Sequence, residues 1–181
     1  MKALGYIVVA LVFFVAGLFS GLYLAGYSPA EVVGLLGEGT QDKGASFAIA
    51  DENLEAVIRE TLSQPSGKAL TPADLARLRS LNAASQNISD ISGIEHCTNL
   101  AWLYLNSNQI SDISPLASLT NLNYLYLHDN QISDISPLVE NSGLGETDTV
   151  LLKNNNLDLS EGSEDLEHIK QLEEKGVAVS Y

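Results

Sequence analysis

The stretch QISDISPLASLTNLNYLYLHDNQISDISPL, residues 109–138, decides the fold, because its first eight letters return unchanged at Gln131. Isoleucines recur every 22 residues around it, at Ile88, Ile110 and Ile132. Leucines follow the same spacing, which gives a repeating unit L-x-x-L-x-L-x-x-N-x-I-x-x-I. A fixed period of this length predicts stacked structural units, each of which presents the same shape to the next.

Each unit contains an L-x-L triplet, which predicts a short strand with both leucines on its inner face. One such strand cannot bury its apolar side alone, whereas stacked neighbours can. An asparagine follows each triplet, at Asn108, Asn130 and Asn155, and we expect its side chain to bond inward to unpaired backbone groups of the turn. The third asparagine comes three residues late, which predicts an insertion near residues 143–147.

The repeating unit resembles the leucine-rich repeat in its 22-residue bacterial form, as found in internalin-like surface proteins. The resemblance covers residues 87–159 and implies an α/β solenoid, a short horseshoe with parallel strands on its concave face and short helical turns on its convex face. It also implies protein–protein interaction at the cell surface. The chain departs from the family in its few repeats and in lacking a wall-anchoring signal after its cap, which favours a small role in the envelope over host-cell adhesion.

Both ends of a solenoid need a cover, and helical patterns flank the repeats. Residues 46–86 predict a helical N-cap and a partial first repeat. Asp51 is the expected N-cap residue of one helix, and Thr71 with Asp74 forms a capping box for the next. Residues 160–181 predict a C-terminal cap, built from a helix with a buried stripe followed by a strand. The stripe comprises Leu166, Ile169 and Leu172, and the strand Val177–Val179.

The N-terminal segment, residues 1–27, is largely apolar and carries one charge, at Lys2. It is long enough to cross a hydrocarbon core of about 30 Å, so we predict a transmembrane helix that acts as a signal-anchor. A signal peptide that is cleaved is the alternative, although no clear small-x-small cleavage site is present. Residues 28–45 would then be a juxtamembrane linker.

Either interpretation of this segment directs the repeats to an extracytoplasmic location, because Lys2 precedes the span and should stay in the cytoplasm. The anchored form would be held at the cell surface or envelope, and the cleaved form would be secreted. Gly17, Gly21 and Ala25 are spaced four apart within the span, so self-association through a close-packed helix face is a further expectation.

Composition restricts the partners and the chemistry. With 9 basic and 23 acidic residues the net charge is −14, and such a surface repels nucleic acid. Cys97 is the single cysteine and falls in an apolar slot, so a buried thiol is expected rather than a reactive one. No phosphate loop, metal-ligand cluster or nucleophile motif occurs in the sequence, so we predict no cofactor, no metal, no catalytic residue and no enzymatic activity.

Three aspartates at the same position of successive units, Asp90, Asp112 and Asp134, would stack in a column. A calcium ladder is one interpretation, because carboxylate oxygens suit that ion. Capping of the short turn that follows each aspartate is the favoured one.

Residues that alternate with the leucines face outward, so successive units align them into one surface. Four aromatic residues fall on two neighbouring strands of this surface, where water-facing positions do not require them, and such patches are typical of binding faces. The alternative is cross-strand ring pairing that stiffens the sheet. The predicted site comprises Trp102, Tyr104, Asn106, Tyr124, Tyr126, His128 and Lys153.

These features predict a membrane-tethered repeat module that binds a protein partner through its concave face. Carbohydrate binding is a second hypothesis, because amides and an imidazole flank the rings, and it requires open ring faces rather than packed edges. A purely structural envelope protein is the third.

Overall fold

A computed structural model describes residues 49–181 of the 181-residue chain. The predicted transmembrane segment, with its glycine motif, and the predicted linker lie outside the described residues. Among residues 49–181, every helix falls short of the length and apolar composition that crossing a bilayer requires.

Short strands alternate with short helical turns through the described chain. The helices and strands are α1 (Glu52–Leu62), α2 (Pro72–Leu75), β1 (Ser80–Asn82), β2 (Trp102–Tyr104), β3 (Tyr124–Tyr126), α3 (Ser136–Glu140), β4 (Thr149–Leu151), α4 (Glu164–Glu174) and β5 (Ala178–Ser180). Two 3₁₀ turns, Ile94–His96 and Ser114–Ser118, occupy the coil positions that α3 occupies in the third coil.

The five strands form one parallel sheet in the order β1-β2-β3-β4-β5, as expected for a solenoid in which each coil contributes one strand. The central residue of each strand stacks on that of the next, from Leu81 through Leu103 and Leu125 to Val150, and all four side chains are fully buried. The step from Leu125 to Val150 is three residues longer than the preceding steps, which confirms the predicted insertion.

Gly143 lets the insertion close tightly on the preceding coil. A Cβ at this position would lie 2.0 Å from the carbonyl oxygen of Thr120, so no larger residue fits without a shift of the backbone. Asn141, fully buried beside it, donates from Nδ2 to the carbonyl oxygens of Leu116 at 2.8 Å and Leu119 at 3.1 Å. The insertion is therefore held to the solenoid by backbone contact as well as by apolar packing.

The N-terminal cap follows its sequence signals. Asp51 accepts hydrogen bonds from the N–H groups of Asn53 at 2.9 Å and Leu54 at 3.2 Å, which satisfies donors at the start of α1. Thr71 and Asp74 form the predicted capping box at α2. Helix α1 packs against β1, so the first edge of the sheet has a cover.

The C-terminal cap differs from its sequence pattern in two details. Ile169 and Leu172 are fully buried, but Leu166 is half-buried and Asp165 takes the inner position, where its Oδ2 accepts the N–H of Asp158 at 2.9 Å. The last strand begins one residue later than predicted, because the N–H of Val177 is engaged by the carbonyl oxygen of Leu172 at the end of α4.

Candidate binding face

Two columns of outward side chains cross the outer face of the sheet. Pairing of the strands places Trp102 beside Tyr124 in the first column and Tyr104 beside Tyr126 in the second. Trp102 is 41% exposed and Tyr124 is 38% exposed, while the second pair is half-buried. The structure thus brings the four predicted rings into one patch.

Both ring pairs are stacked across the strands. The centroids of Trp102 and Tyr124 are 6.3 Å apart with planes inclined by 6°, and those of Tyr104 and Tyr126 are 4.7 Å apart with planes inclined by 27°. The two rings of each pair therefore lie side by side on neighbouring strands with their planes roughly parallel, and the Tyr104–Tyr126 pair is the closer of the two.

Side chains of smaller size flank the rings in each column. Ser80 and Thr149 lie on either side of the Trp102–Tyr124 pair, and Asn82 and Leu151 on either side of the other pair. The four rings, Trp102, Tyr104, Tyr124 and Tyr126, therefore form a ridge in the middle of the sheet, and the side chains on the strands to either side of it are smaller.

A third column continues beyond the strand ends and contains the polar members of the predicted site. The N–H of Ser107 donates to the carbonyl oxygen of His128 at 3.0 Å, and that of Asp129 to the carbonyl oxygen of Lys153 at 2.9 Å. These bonds keep the register, so Asn106, His128 and Lys153 follow one another across three coils. All seven predicted site residues accordingly lie on the same face.

His128 and Lys153 border a shallow hollow of about 280 Å³ at one end of the ridge. Leu151, Asn154 and Ser180 complete its lining. Sequence reasoning did not place Asn154 and Ser180 in the site. Asn154 follows a repeat position that is usually solvent-facing, and Ser180 comes from the cap strand, whose distance from β4 no repeat period fixes.

The imidazole of His128 is only partly engaged. Its ring packs edge-on against Tyr126 with centroids 6.2 Å apart, and its Nε2 is 4.0 Å from Oδ2 of Asp129. The Nδ1 atom is buried and has no hydrogen-bond partner among the described residues. Because this nitrogen is enclosed by the protein, it cannot reach a ligand in the hollow without a rotation of the ring.

The asparagines after the triplets have a structural role, as predicted. Asn130 accepts at Oδ1 from the N–H of Ile110 at 3.0 Å and donates from Nδ2 to the carbonyl oxygens of Leu105 at 2.9 Å and Leu127 at 3.0 Å. Asn108 and Asn155 make the equivalent bonds one coil before and one coil after. These side chains join adjacent coils and are not part of the binding face.

The column of aspartates on the convex side caps turns, which confirms the favoured interpretation. Asp90, Asp112 and Asp134 each accept the N–H two residues later, from Ser92, Ser114 and Ser136, at 2.8 Å. Hydrogen bonds from the side chain and the N–H of Ser136 lower the pKa of Asp134 below its usual value. Within residues 49–181, no three His, Cys, Asp or Glu side chains converge as metal ligands.

Cys97 is fully buried, as the repeat position predicts. Burial and, to a smaller extent, the nearby charge of Glu95 raise the pKa of its thiol to about 12. A thiol that stays protonated at neutral pH is a poor nucleophile, so Cys97 is not a reactive site.

Comparison with known proteins supports the assignment of the repeats. Residues 98–140 match the family model of leucine rich repeats, in two copies. An internalin, inlF, from Listeria monocytogenes is 38% identical and superimposes with a TM-score of 0.55 over 60% of this chain and 31% of that one. No curated protein sequence matches the chain.

A second solved structure, the functional domain of InlJ from Listeria monocytogenes, which includes a cysteine ladder, is 26% identical with a TM-score of 0.52. The match covers 63% of this chain and 24% of that one. The chain therefore spans about a third or less of the length of these structures. The single buried Cys97 cannot form such a ladder within this chain.

Proposed function

We propose that this chain, whose repeats are leucine-rich repeats of the internalin-like 22-residue type, is a non-enzymatic module that binds a protein partner through its concave face. The ridge of stacked rings carries the proposal. Trp102 and Tyr124 expose about two fifths of their surface, and packing of the sheet does not require large aromatic side chains at these positions. Large rigid rings contribute contact area at a low cost in conformational entropy, which is why they dominate binding hot spots.

The direction in which the rings are presented favours a protein over a glycan. Sugar recognition relies on open ring faces, and Tyr104 and Tyr126, whose centroids are 4.7 Å apart, cover one face of each other. Edges and phenol hydroxyls suit the mixed apolar and polar surface of a protein partner. A glycan remains the second candidate, because small residues at Ser80 and Thr149 leave room beside the outer pair.

The proposed module is held at the outside of a membrane by residues 1–27. The apolar composition of this segment supports the tether, and Lys2 at its start supports the orientation. Extraction of membranes at alkaline pH should leave the full-length chain in the pellet. Release of the chain, with loss of the N-terminal residues by mass spectrometry, would instead identify a cleaved signal peptide.

The test of the binding face is a comparison of full-length variants against an envelope extract. The variant Trp102→Ala/Tyr124→Ala removes the exposed pair, and Leu159→Ala, which is 46% exposed in the loop before α4, is the matched control. We expect the control to retain the partner and the double variant to lose it, with an affinity loss of more than about 2 kcal/mol. Circular dichroism must show that both variants are folded.

The stability of the double variant separates this proposal from the structural alternative. Exposed cross-strand pairs contribute about 0.2–1 kcal/mol to a sheet, so unfolding should change little. A double variant that unfolds, or one that retains every partner of the wild type, would show that the rings stabilise the sheet and do not form the binding site.

A further inference from the structure

The concave face differs in charge from the rest of the molecule. Residues 1–48 hold two of the 9 basic and three of the 23 acidic residues, so the described part carries 7 basic and 20 acidic residues. No carboxylate occupies an outward position of the five strands or of the columns beyond their ends in this part, and Lys153 is the one formal charge there. These positions are Ser80, Asn82, Ala84, Trp102, Tyr104, Asn106, Tyr124, Tyr126, His128, Thr149, Leu151, Lys153, Ala178 and Ser180.

Lys153 is exposed and forms no ion pair within residues 49–181. Two carboxylates in neighbouring segments, Asp129 and Asp148, form hydrogen bonds with other groups. Asp129 accepts from Nδ2 of Asn154 at 2.7 Å, and Asp148 accepts from Nδ2 of Asn123 at 2.8 Å and the N–H of Gly145 at 2.9 Å. An exposed ammonium group that forms no ion pair within the described residues is available to attract an external anion.

The hollow beside Lys153 supplies further groups that suit a carboxylate. Asn154 and Ser180 contribute an amide and a hydroxyl to its lining, and the imidazole ring of His128 forms another part of it. Leu151 forms an apolar part of the lining, where the lower local polarity strengthens a charged hydrogen bond. A volume of about 280 Å³ accommodates a side chain and not a folded element.

The ridge that adjoins the hollow favours the same sign of charge. Aromatic rings are electropositive at their edges and electronegative on their faces. Close stacking of Tyr104 on Tyr126 leaves the edges of these rings more accessible to a partner than the faces between them. The ridge therefore attracts carboxylates and apolar groups more than it attracts the cations that bind to ring faces.

We propose that the concave face recognises an extended protein segment in which an Asp or Glu side chain enters the Lys153 hollow while adjoining apolar side chains lie on the ring ridge. This inference rests on the proposed function and specifies its partner: a segment that is locally acidic and apolar. The hollow beside β4 is positively charged, whereas the described part of the molecule as a whole is acidic. The Asp or Glu side chain of the bound segment should therefore lie near β4, which fixes the orientation of the segment.

The test uses the full-length chain and an mRNA-displayed library of random dodecapeptides. Peptides that bind the wild type are counter-selected against Trp102→Ala/Tyr124→Ala, so that those which depend on the ridge are retained. Binders are then synthesised with amidated C-termini and titrated by fluorescence polarisation. We expect them to share an acidic residue beside apolar ones, and Lys153→Gln to weaken their binding about tenfold.

Matched variants separate the hollow from general electrostatics. Lys153→Arg should retain most of the affinity. Lys170→Gln, which removes the same charge from α4, and Arg79→Gln, which removes a charge just before β1, should change binding less than twofold. Replacing the peptide's acidic residue by its amide should remove the difference between wild type and Lys153→Gln, as a direct contact requires.

The possible results distinguish the hollow from the ridge. Peptides that need the ridge but bind Lys153→Gln as well as the wild type would overturn the carboxylate hollow and leave the binding face intact. Equal losses in Lys153→Gln and Lys170→Gln would also overturn it. A library that yields only peptides indifferent to the ridge would count against the proposed function and this inference together.

Discussion

At the scale of single residues, the coils are joined by asparagine side chains more than by any charged group. Each one replaces backbone partners that a tight turn cannot supply, and each connects its own coil to the one before. Among these asparagines Asn130 is the most enclosed, with 8% of its surface exposed. An apolar side chain at this position could not satisfy the three buried backbone atoms that Asn130 binds.

Asn130→Ala should therefore be among the most damaging substitutions of a polar residue in this chain. It leaves the N–H of Ile110 and the carbonyl oxygens of Leu105 and Leu127 without their partner, and we expect a loss of about 3 kcal/mol in the free energy of unfolding. Urea denaturation followed by circular dichroism measures it. Asn106→Ala is the control, since that side chain donates one long bond of 3.5 Å to Ser107, and it should cost less than about 0.5 kcal/mol. Similar losses in both variants would contradict the inward-facing role.

At the scale of elements, the coils differ in how much of their geometry the repeat determines. Coils that follow the 22-residue period close with short 3₁₀ turns, whereas the third coil closes with α3 and an insertion. The insertion needs Gly143, because the loop passes against the backbone of Thr120. The insertion also lies close to the C-terminal cap. A Cβ added at Gly176, whose φ is +91°, would lie 2.9 Å from a side-chain atom of Glu146.

Gly143→Ala should destabilise the chain by about 3 kcal/mol, since the added methyl group meets backbone atoms that cannot move independently. Gly145→Ala, in the same loop, is the matched control, because a Cβ there lies at an ordinary contact distance of 3.6 Å from the carbonyl oxygen of Lys175. Thermal unfolding of both variants measures the difference. If Gly145→Ala proves the more harmful of the two, the close approach at Thr120 is not what constrains the loop.

Sequence reasoning predicted the elements that the repeat governs and was less accurate where the period ends. Periodicity determined the strands, the inward leucines, the asparagine bonds and the outward aromatic positions, because each coil must fit the next. It did not predict that Asp165 would replace Leu166 in the interior, or that β5 would begin one residue late. The orientation of the rings and the contribution of Ser180 to the hollow depend on side-chain packing and on a connection of free length, neither of which a repeat pattern encodes.

At the scale of the whole molecule, five short strands make a solenoid in which the caps supply a large part of the buried surface. Helix α1 packs on β1 at one end, and α4 packs on α3 and β5 at the other. The described residues share one continuous apolar core, which extends from Ile49 to Val177. In so short an array, the ends and the middle should unfold together.

Cap substitutions should therefore lower the stability of the central coils as well. Ile58→Ala in α1 and Ile169→Ala in α4 remove fully buried side chains, and each should cost about 3 kcal/mol. Fluorescence of Trp102, the single tryptophan, reports on the middle of the sheet, and far-UV circular dichroism reports on the whole chain. Both signals should shift to one lower midpoint. A tryptophan transition that stays at the wild-type midpoint while the dichroism changes would show that the caps unfold independently.

Paired residues of β2 and β3 are separated by one repeat length, and this spacing affects how the array can gain or lose coils during evolution. Residues 109–130 begin and end at equivalent points of the solenoid, since the asparagine bonds made to Ile110 recur at Ile132. An in-frame duplication of this block in the gene would insert a coil whose two boundaries already match their neighbours. The block after Leu138 lacks that property because of its insertion. Gain or loss of repeats by recombination should therefore be tolerated at the junction that carries the ring ridge, so that the binding face is the part of the molecule most readily lengthened.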